Sequence, residues 1–316
     1  MKVVALIGGL GSQMFKYAFY LALQEETDQE CLIDTTFFLQ RDSWNGYELD
    51  KLFGINEPDI KDRLRKEQLS KIIEKKKSYI DVCIEYLTEQ GDTAYYFLGT
   101  KSNYPSGRPV KTTKRKLRQK FLFLQNTLGV FRSLSMEHML SDENAYFDEY
   151  FNNSDELFAK YKSLIKKTFV FPPFEDQMNL EISQKMASEE SVALHIRRTD
   201  HMMDNKKLFQ NGFFEKSVHF IKEHAERKTV FYIFSDDLSW CRDNLAELGL
   251  DQKDEIIFVD WNTGTNSFRD MQLMMYCQHN VVPISSFSWW GYYLSDREKK
   301  IVCAPKGYWL EIENHF

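Results

Sequence analysis

The stretch SVALHIRRTD, residues 191–200, decides the fold reading. It opens a run in which short apolar segments and amphipathic segments strictly alternate. SVALHI has the length and apolar content of a buried strand. After it come a helix in FFEKSVHFIKEHAER (213–227), a strand in TVFYIF (229–234) and a helix in LSWCRDNLAEL (238–248). EIIFVD (255–260), SFRDMQLMMYCQ (267–278), NVVPI (280–284), SFSWWGYYL (286–294) and KKIVCAP (299–305) continue the pattern as strand, helix, strand, helix and strand. Alternation of this kind predicts βαβ units and a parallel sheet, whose ligands bind at the carboxyl ends of the strands.

Working outward, the chain opens in the same way. VVALIG (3–8) is a strand, GGLGSQ (8–13) a glycine-rich turn, MFKYAFYLALQEE (14–26) a helix with Met14, Ala18, Leu21 and Ala22 near one face, and CLIDTTFF (31–38) a second strand. From about 50 to 169 the pattern is less regular. KDRLRKEQLSKIIEKKK (61–77) predicts a charged amphipathic helix, and GTKSNYPSGRPVKTT (99–113) a loop. The two prolines of FPPFED (171–176) mark the boundary. The expectation is an α/β protein of two Rossmann-like lobes, residues 1–172 and 173–316, with a cleft between them.

The bulk numbers narrow the function. A length of 316 residues suits one large or two moderate domains, and 43% hydrophobic residues suffice for a sizeable core. A net charge of −6 argues against a nucleic-acid binder. The local exception is KTTKRKLRQK (111–120), suited to a solvated helix start or, alternatively, to an anionic acceptor or lipid surface. Five widely spaced cysteines form neither a disulfide framework nor a zinc pattern. The apolar runs are too short to span a bilayer. The chain reads as cytoplasmic, with peripheral contact at the inner membrane face or with a lipid-linked acceptor as the one role open to the basic run.

Four places can carry chemistry. Gly8, Gly9 and Gly11 lie where a strand turns into a helix, where backbone N–H groups can approach an anion. Gly9 and Gly11 half-match a dinucleotide fingerprint, with Met14 at the third glycine position and Asp34 ending the next strand as a ribose-binding acid would. That keeps a dinucleotide-dependent oxidoreductase open. Arg197 and Arg198 follow a buried strand at its ligand edge, and guanidinium groups bind phosphate oxygens in a bidentate way. Asp200 is close enough in sequence to accept a hydroxyl proton or to fix an arginine. Asp236 and Asp237 leave the next strand, as nucleoside contacts or helix caps. Ser285 and Ser286 open a later helix, where hydroxyls and N–H groups suit a diphosphate, while Trp289 and Trp290 pack. No DxD triplet occurs. Without one, the charge of a leaving diphosphate falls to arginine and helix termini, so no metal cofactor is expected.

Together, GGLGSQMFKYA, HIRRTD, FSDDLSW and DMQLMMYCQHNVVPISSFSWWGYYL resemble the alpha-1,2-fucosyltransferases of glycosyltransferase family 11. The resemblance implies a GT-B-type fold with the acceptor on the first lobe and the donor, GDP-fucose, on the second. It implies metal-independent inverting transfer to O-2 of a galactose in a glycan acceptor. In the same terms, Arg197 would hold the β-phosphate, and His195 with Asp236 or Asp237 the nucleoside. Ser285, Ser286 and Phe287 would flank the diphosphate or fucose, and Gly9, Gly11 and Gln13 would approach the donor from the other lobe. Ser12, Lys16, His201 and Ile284 depart from the residues usual in the family. A different linkage, such as alpha-1,6, and a non-catalytic nucleotide or carbohydrate binder are the remaining readings.

Overall fold

The structure is a computed structural model. It describes residues 1–41, 43–96, 140–148, 155–198, 202–309 and 312–316. Asp200, His201, the basic run 111–120 and the loop 99–113 lie outside the described residues. The chain forms two compact units, Met1–Tyr161 and Lys162–Phe316. Each is built on a parallel sheet with helices, so both lobes are Rossmann-like α/β units.

The first sheet has the order β2-β1-β4-β3, from β1 (Lys2–Ala5), β2 (Cys31–Asp34), β3 (Thr93–Tyr96) and β4 (Asn144–Phe147), all pairs parallel. β3 and β4 fall in the stretch where the sequence shows no clear period. Each is four residues long, too short for alternation to register. The helix Leu10–Glu26 is buried around its circumference from Gln13 to Leu23, not on one face as expected. Phe158 packs against its Phe15 and Phe147 against its Phe19, at ring separations of 5.4 and 5.2 Å. Its two buried, non-aromatic polar residues are satisfied inside: Gln13 as described below, and Lys16 by donating to the carbonyl of Asp148 at 2.9 Å. β2 stops at Asp34, and Phe37–Gln40 is a short helix rather than strand, with Phe37 buried. The charged segment near 61–77 breaks into a 3-10 turn (Ile60–Arg63) and a helix (Lys66–Ile73).

The second sheet has six strands in the order β10-β9-β8-β5-β6-β7. They are β5 (Glu190–Ile196), β6 (Thr229–Ser235), β7 (Glu255–Phe258), β8 (His279–Val281), β9 (Val302–Ala304) and β10 (Asn314–His315), all parallel. β5 lies inside the sheet and is buried along its whole length. Side-chain alternation sends Val192, Leu194 and Ile196 to one core with Phe213, Phe214, Val218 and Ile221. Ala193, with Val230, Tyr232 and Phe234, faces the other, with Met186, Leu273, Met274 and Cys277. Full burial stabilises by roughly 1.5–3 kcal/mol for each large apolar side chain, so these two layers fix the sheet.

The boundary between units precedes the expected 172/173 position. Phe169 packs edge-on against Trp290 at 5.1 Å. Arg269 donates to the carbonyls of Pro172 (2.7 Å) and Pro173 (3.0 Å), and Gln272 donates to that of Pro172 (3.0 Å). The prolines break the helical pattern, but these contacts hold the segment to the second unit. All five cysteines are buried free thiols, and burial pushes Cys241 up to about 11. Among the described residues no helix is long and apolar enough to cross a membrane.

Candidate active site

In the second unit the chain runs β5, β6, β7 in one direction and then returns to place β8 on the other side of β5. β5 and β8 therefore flank a topological switch point, the usual place for a ligand crevice in an open α/β sheet. At that edge the residues that leave β5 lie beside those that leave its other neighbour, β6. The last β5–β6 pairs are His195 with Phe234 and Ile196 with Ser235, which puts Arg197 and Arg198 beside Asp236 and Asp237.

The two arginines differ in surroundings. Arg198 lies over the Trp240 ring with its guanidinium carbon 4.0 Å from the centroid, and it pairs with Asp237. Its backbone N–H donates to Asp236 at 2.8 Å. Arg197 meets Asp236 through Nε at 3.4 Å and is 29% exposed. Asp237 also caps the helix Leu238–Asp243, accepting from the Trp240 N–H at 3.2 Å. Asp236 and Asp237 thus hold the arginine pair in place.

The helix Ser286–Leu294 starts at the other side of the switch point. Its N-cap Ser285 makes no side-chain capping bond, and Ser285 and Ser288 are buried. The helix start therefore keeps N–H groups that the usual serine cap would have satisfied. His195 is 4% exposed, and its ring lies 5.9 Å from that of Phe287. This contact joins the tips of β5 and the helix start. Gly291 lets the helix approach its neighbour: an added Cβ would lie 2.7 Å from the Cβ of Met274.

A further acid near this edge escaped the sequence reading. Asn262 donates to Asp270 at 2.8 Å, and burial pushes the Asp270 carboxyl up to about 7. Asp270 sits in the first turn of the helix Phe268–Met274, where an acid is ordinary, so nothing in the sequence singled it out. Trp240 escaped that reading too: it stands three residues after Asp237, and nothing in the sequence places it under Arg198. Among the described residues no group of three or more His, Cys, Asp or Glu could hold a metal ion.

The glycine turn belongs to the first unit. Gly8 has φ +87°, and Gly9 is the N-cap of the long helix. Gln13 is fully buried. Its amide donates to the carbonyls of Gly8 and Gly46, both at 2.9 Å, and accepts from the Glu48 N–H at 3.0 Å. It clamps the turn to the 43–48 loop. Asp34 is fully buried and accepts from the Thr36 N–H (2.8 Å), the Thr36 hydroxyl (2.6 Å) and the Tyr146 hydroxyl. It is closed to a ribose, which removes the acid that the oxidoreductase alternative requires.

The model of glycosyl transferase family 11 matches residues 111–310, and the chain belongs to that family. It is a glycosyltransferase. An alpha-1,2-colitosyltransferase from Escherichia coli is 30% identical over 52% of this chain and 56% of its own length. The O-antigen biosynthesis glycosyltransferase WbnK, also from Escherichia coli, is 26% identical over 95% of this chain and 92% of its own. Among solved structures, the fucosyltransferase NodZ from Bradyrhizobium is similar at 12% identity and a TM-score of 0.49, over 92% of this chain and 91% of that one.

Proposed function

We propose that the protein transfers fucose from GDP-fucose to O-2 of a galactose in a glycan acceptor, with inversion and without a metal ion. The observation that carries this is the placement of Arg197 just past β5 and of the side-chain-uncapped helix start at Ser285 just past β8, on the two sides of the switch point and linked by the His195–Phe287 ring contact, in a chain of family 11. As fucose leaves, negative charge builds on the β-phosphate. The Arg197 guanidinium and the N–H groups after Ser285 stabilise that charge. Asp236 sets the orientation of Arg197, and Asp237 with Trp240 fixes Arg198 behind it. His195 and Phe287 border the nucleoside and diphosphate, with Ser286 beside them. Asp200 is the proposed base for the acceptor hydroxyl. Gly9 and Gly11 are proposed donor contacts. Gln13 acts through them, because its amide is engaged with Gly8, Gly46 and Glu48.

The test is GDP release from GDP-fucose in EDTA, with and without a β-galactoside such as lactose. Acceptor-dependent release with an alpha-1,2-linked product is the expected result. A wild-type protein that does not bind GDP-fucose would overturn the reading. The identity with the alpha-1,2-colitosyltransferase favours a second reading, transfer of colitose in the same linkage. GDP-colitose supplied in parallel separates the two donors by their relative kcat/KM.

A further inference from the structure

The loop 43–48 of the first unit carries three costs within a few residues. Trp44 has φ +51°, in the left-handed region that a tryptophan seldom occupies. It is 55% exposed, while Trp240 and Trp261 are half-buried and Trp289, Trp290 and Trp309 are buried. Among the described residues, neither the Ser43 Oγ nor the Tyr47 hydroxyl, both buried atoms, has a hydrogen-bond partner. Folding alone gives no reason to keep a strained, exposed tryptophan beside two unsatisfied hydroxyls.

Yet the loop is firmly held. The Gln13 amide grips Gly46 and Glu48. The indole stacks on Phe37 at 6.3 Å and 30°, and a Cβ on Gly9 would lie 3.3 Å from its Cδ1. The ring therefore rests on the glycine turn, past the carboxyl end of β1, with the rest of its surface open to solvent. A flat, amphipathic, preorganised aromatic surface suits a sugar ring, whose C–H face stacks while its hydroxyls bond outward. Galactose, with an axial O-4, presents such a C–H face.

We propose that Trp44 is the stacking platform for a galactopyranose ring of the acceptor. The inference rests on the glycosyltransfer reading above and assigns it an acceptor contact. Trp44 positions substrate and takes no part in the chemical step. Because the loop touches the glycine turn, Trp44→Phe is the main variant, since it keeps an aromatic on Phe37; Trp44→Ala is the deeper cut.

Two measurements on the full chain decide it. The first is tryptophan fluorescence titrated with three galactose-terminated sugars: lactose, lacto-N-biose and galactosyl-β-1,3-N-acetylgalactosamine. A saturable change with at least one, lost in Trp44→Phe, is expected. No response to any of the three, or a response that Trp44→Phe retains, overturns the proposal. The second is kinetics with the best of them. Trp44→Ala should raise the acceptor KM by about tenfold and Trp44→Phe by less, with GDP-fucose affinity of Trp44→Phe within about twofold of wild type. An unchanged acceptor KM in both variants also overturns it. Failure of the donor reading is distinct: wild type would then ignore GDP-fucose, while the sugar titration, which needs no donor, still decides the role of Trp44.

Discussion

The two parallel sheets end in opposite ways. At the carboxyl edge of the first, polar side chains turn inward: Gln13 closes on Gly8, Gly46 and Glu48, and Asp34 on Thr36 and Tyr146. At the carboxyl edge of the second they remain partly exposed and pair with one another: Arg197 with Asp236 and Arg198 with Asp237. Inward satisfaction builds a rigid scaffold, whereas partial exposure leaves charge for a ligand. One topology thus yields a satisfied edge in the first unit and a partly exposed, charged edge in the second.

That contrast can be broken first at Arg197. Arg197→Ala should lower kcat/KM for GDP release by about 10²–10³-fold with little change in melting temperature, because it removes a donor to developing charge. Near-normal kinetics would erase the distinction. Gln13→Ala should act the other way round, destabilising by about 2–4 kcal/mol through unsatisfied loop carbonyls and a cavity, read by denaturant unfolding. A larger loss in donor affinity than in stability would move Gln13 into the site itself. Arg198→Lys should cost about 1 kcal/mol of stability, since lysine loses both the planar stack on Trp240 and the fork toward Asp237. A donor KM that rises while stability holds would instead make Arg198 a ligand residue.

The smallest effect concerns the Asp270 carboxyl, pushed up to about 7 by burial, with Asn262 as its donor. A raised pKa means that the folded state holds its proton longer than the unfolded one. The stability this provides is full below about pH 4 and is lost as pH rises through about 7. Asp270→Asn should flatten that slope in melting curves between pH 5 and about 8, while retaining the bond from Asn262. An unchanged slope would place the ionisation elsewhere.

Most of the second unit was legible because its apolar strands alternate strictly with amphipathic segments, so the change of period marks each junction. β5 and the helix Ser286–Leu294 start within a residue of where the sequence places them. The first unit was harder. β3 and β4 are only four residues each, and Phe37 and Phe38 look like strand because aromatics favour either state. In the candidate site, residue types and their places after strands singled out Arg197, Asp236 and Ser285 as candidates. Division of labour did not: no pattern says that Arg198 lies on Trp240, that Asp34 is sealed, or that Gln13 is a clamp. Those depend on neighbours distant in sequence, Tyr146 to Asp34 and Gly46 to Gln13 among them.

The interior place of β5 has a kinetic meaning as well. Its amides are bonded between β6 and β8 and shielded on both faces, so they exchange with solvent only when the unit opens as a whole. Arg197 is the first residue beyond that strand. The charge that would meet the phosphate is therefore fastened to the slowest-breathing part of the lobe, and its aim survives the local opening that shorter edge strands such as β10 undergo.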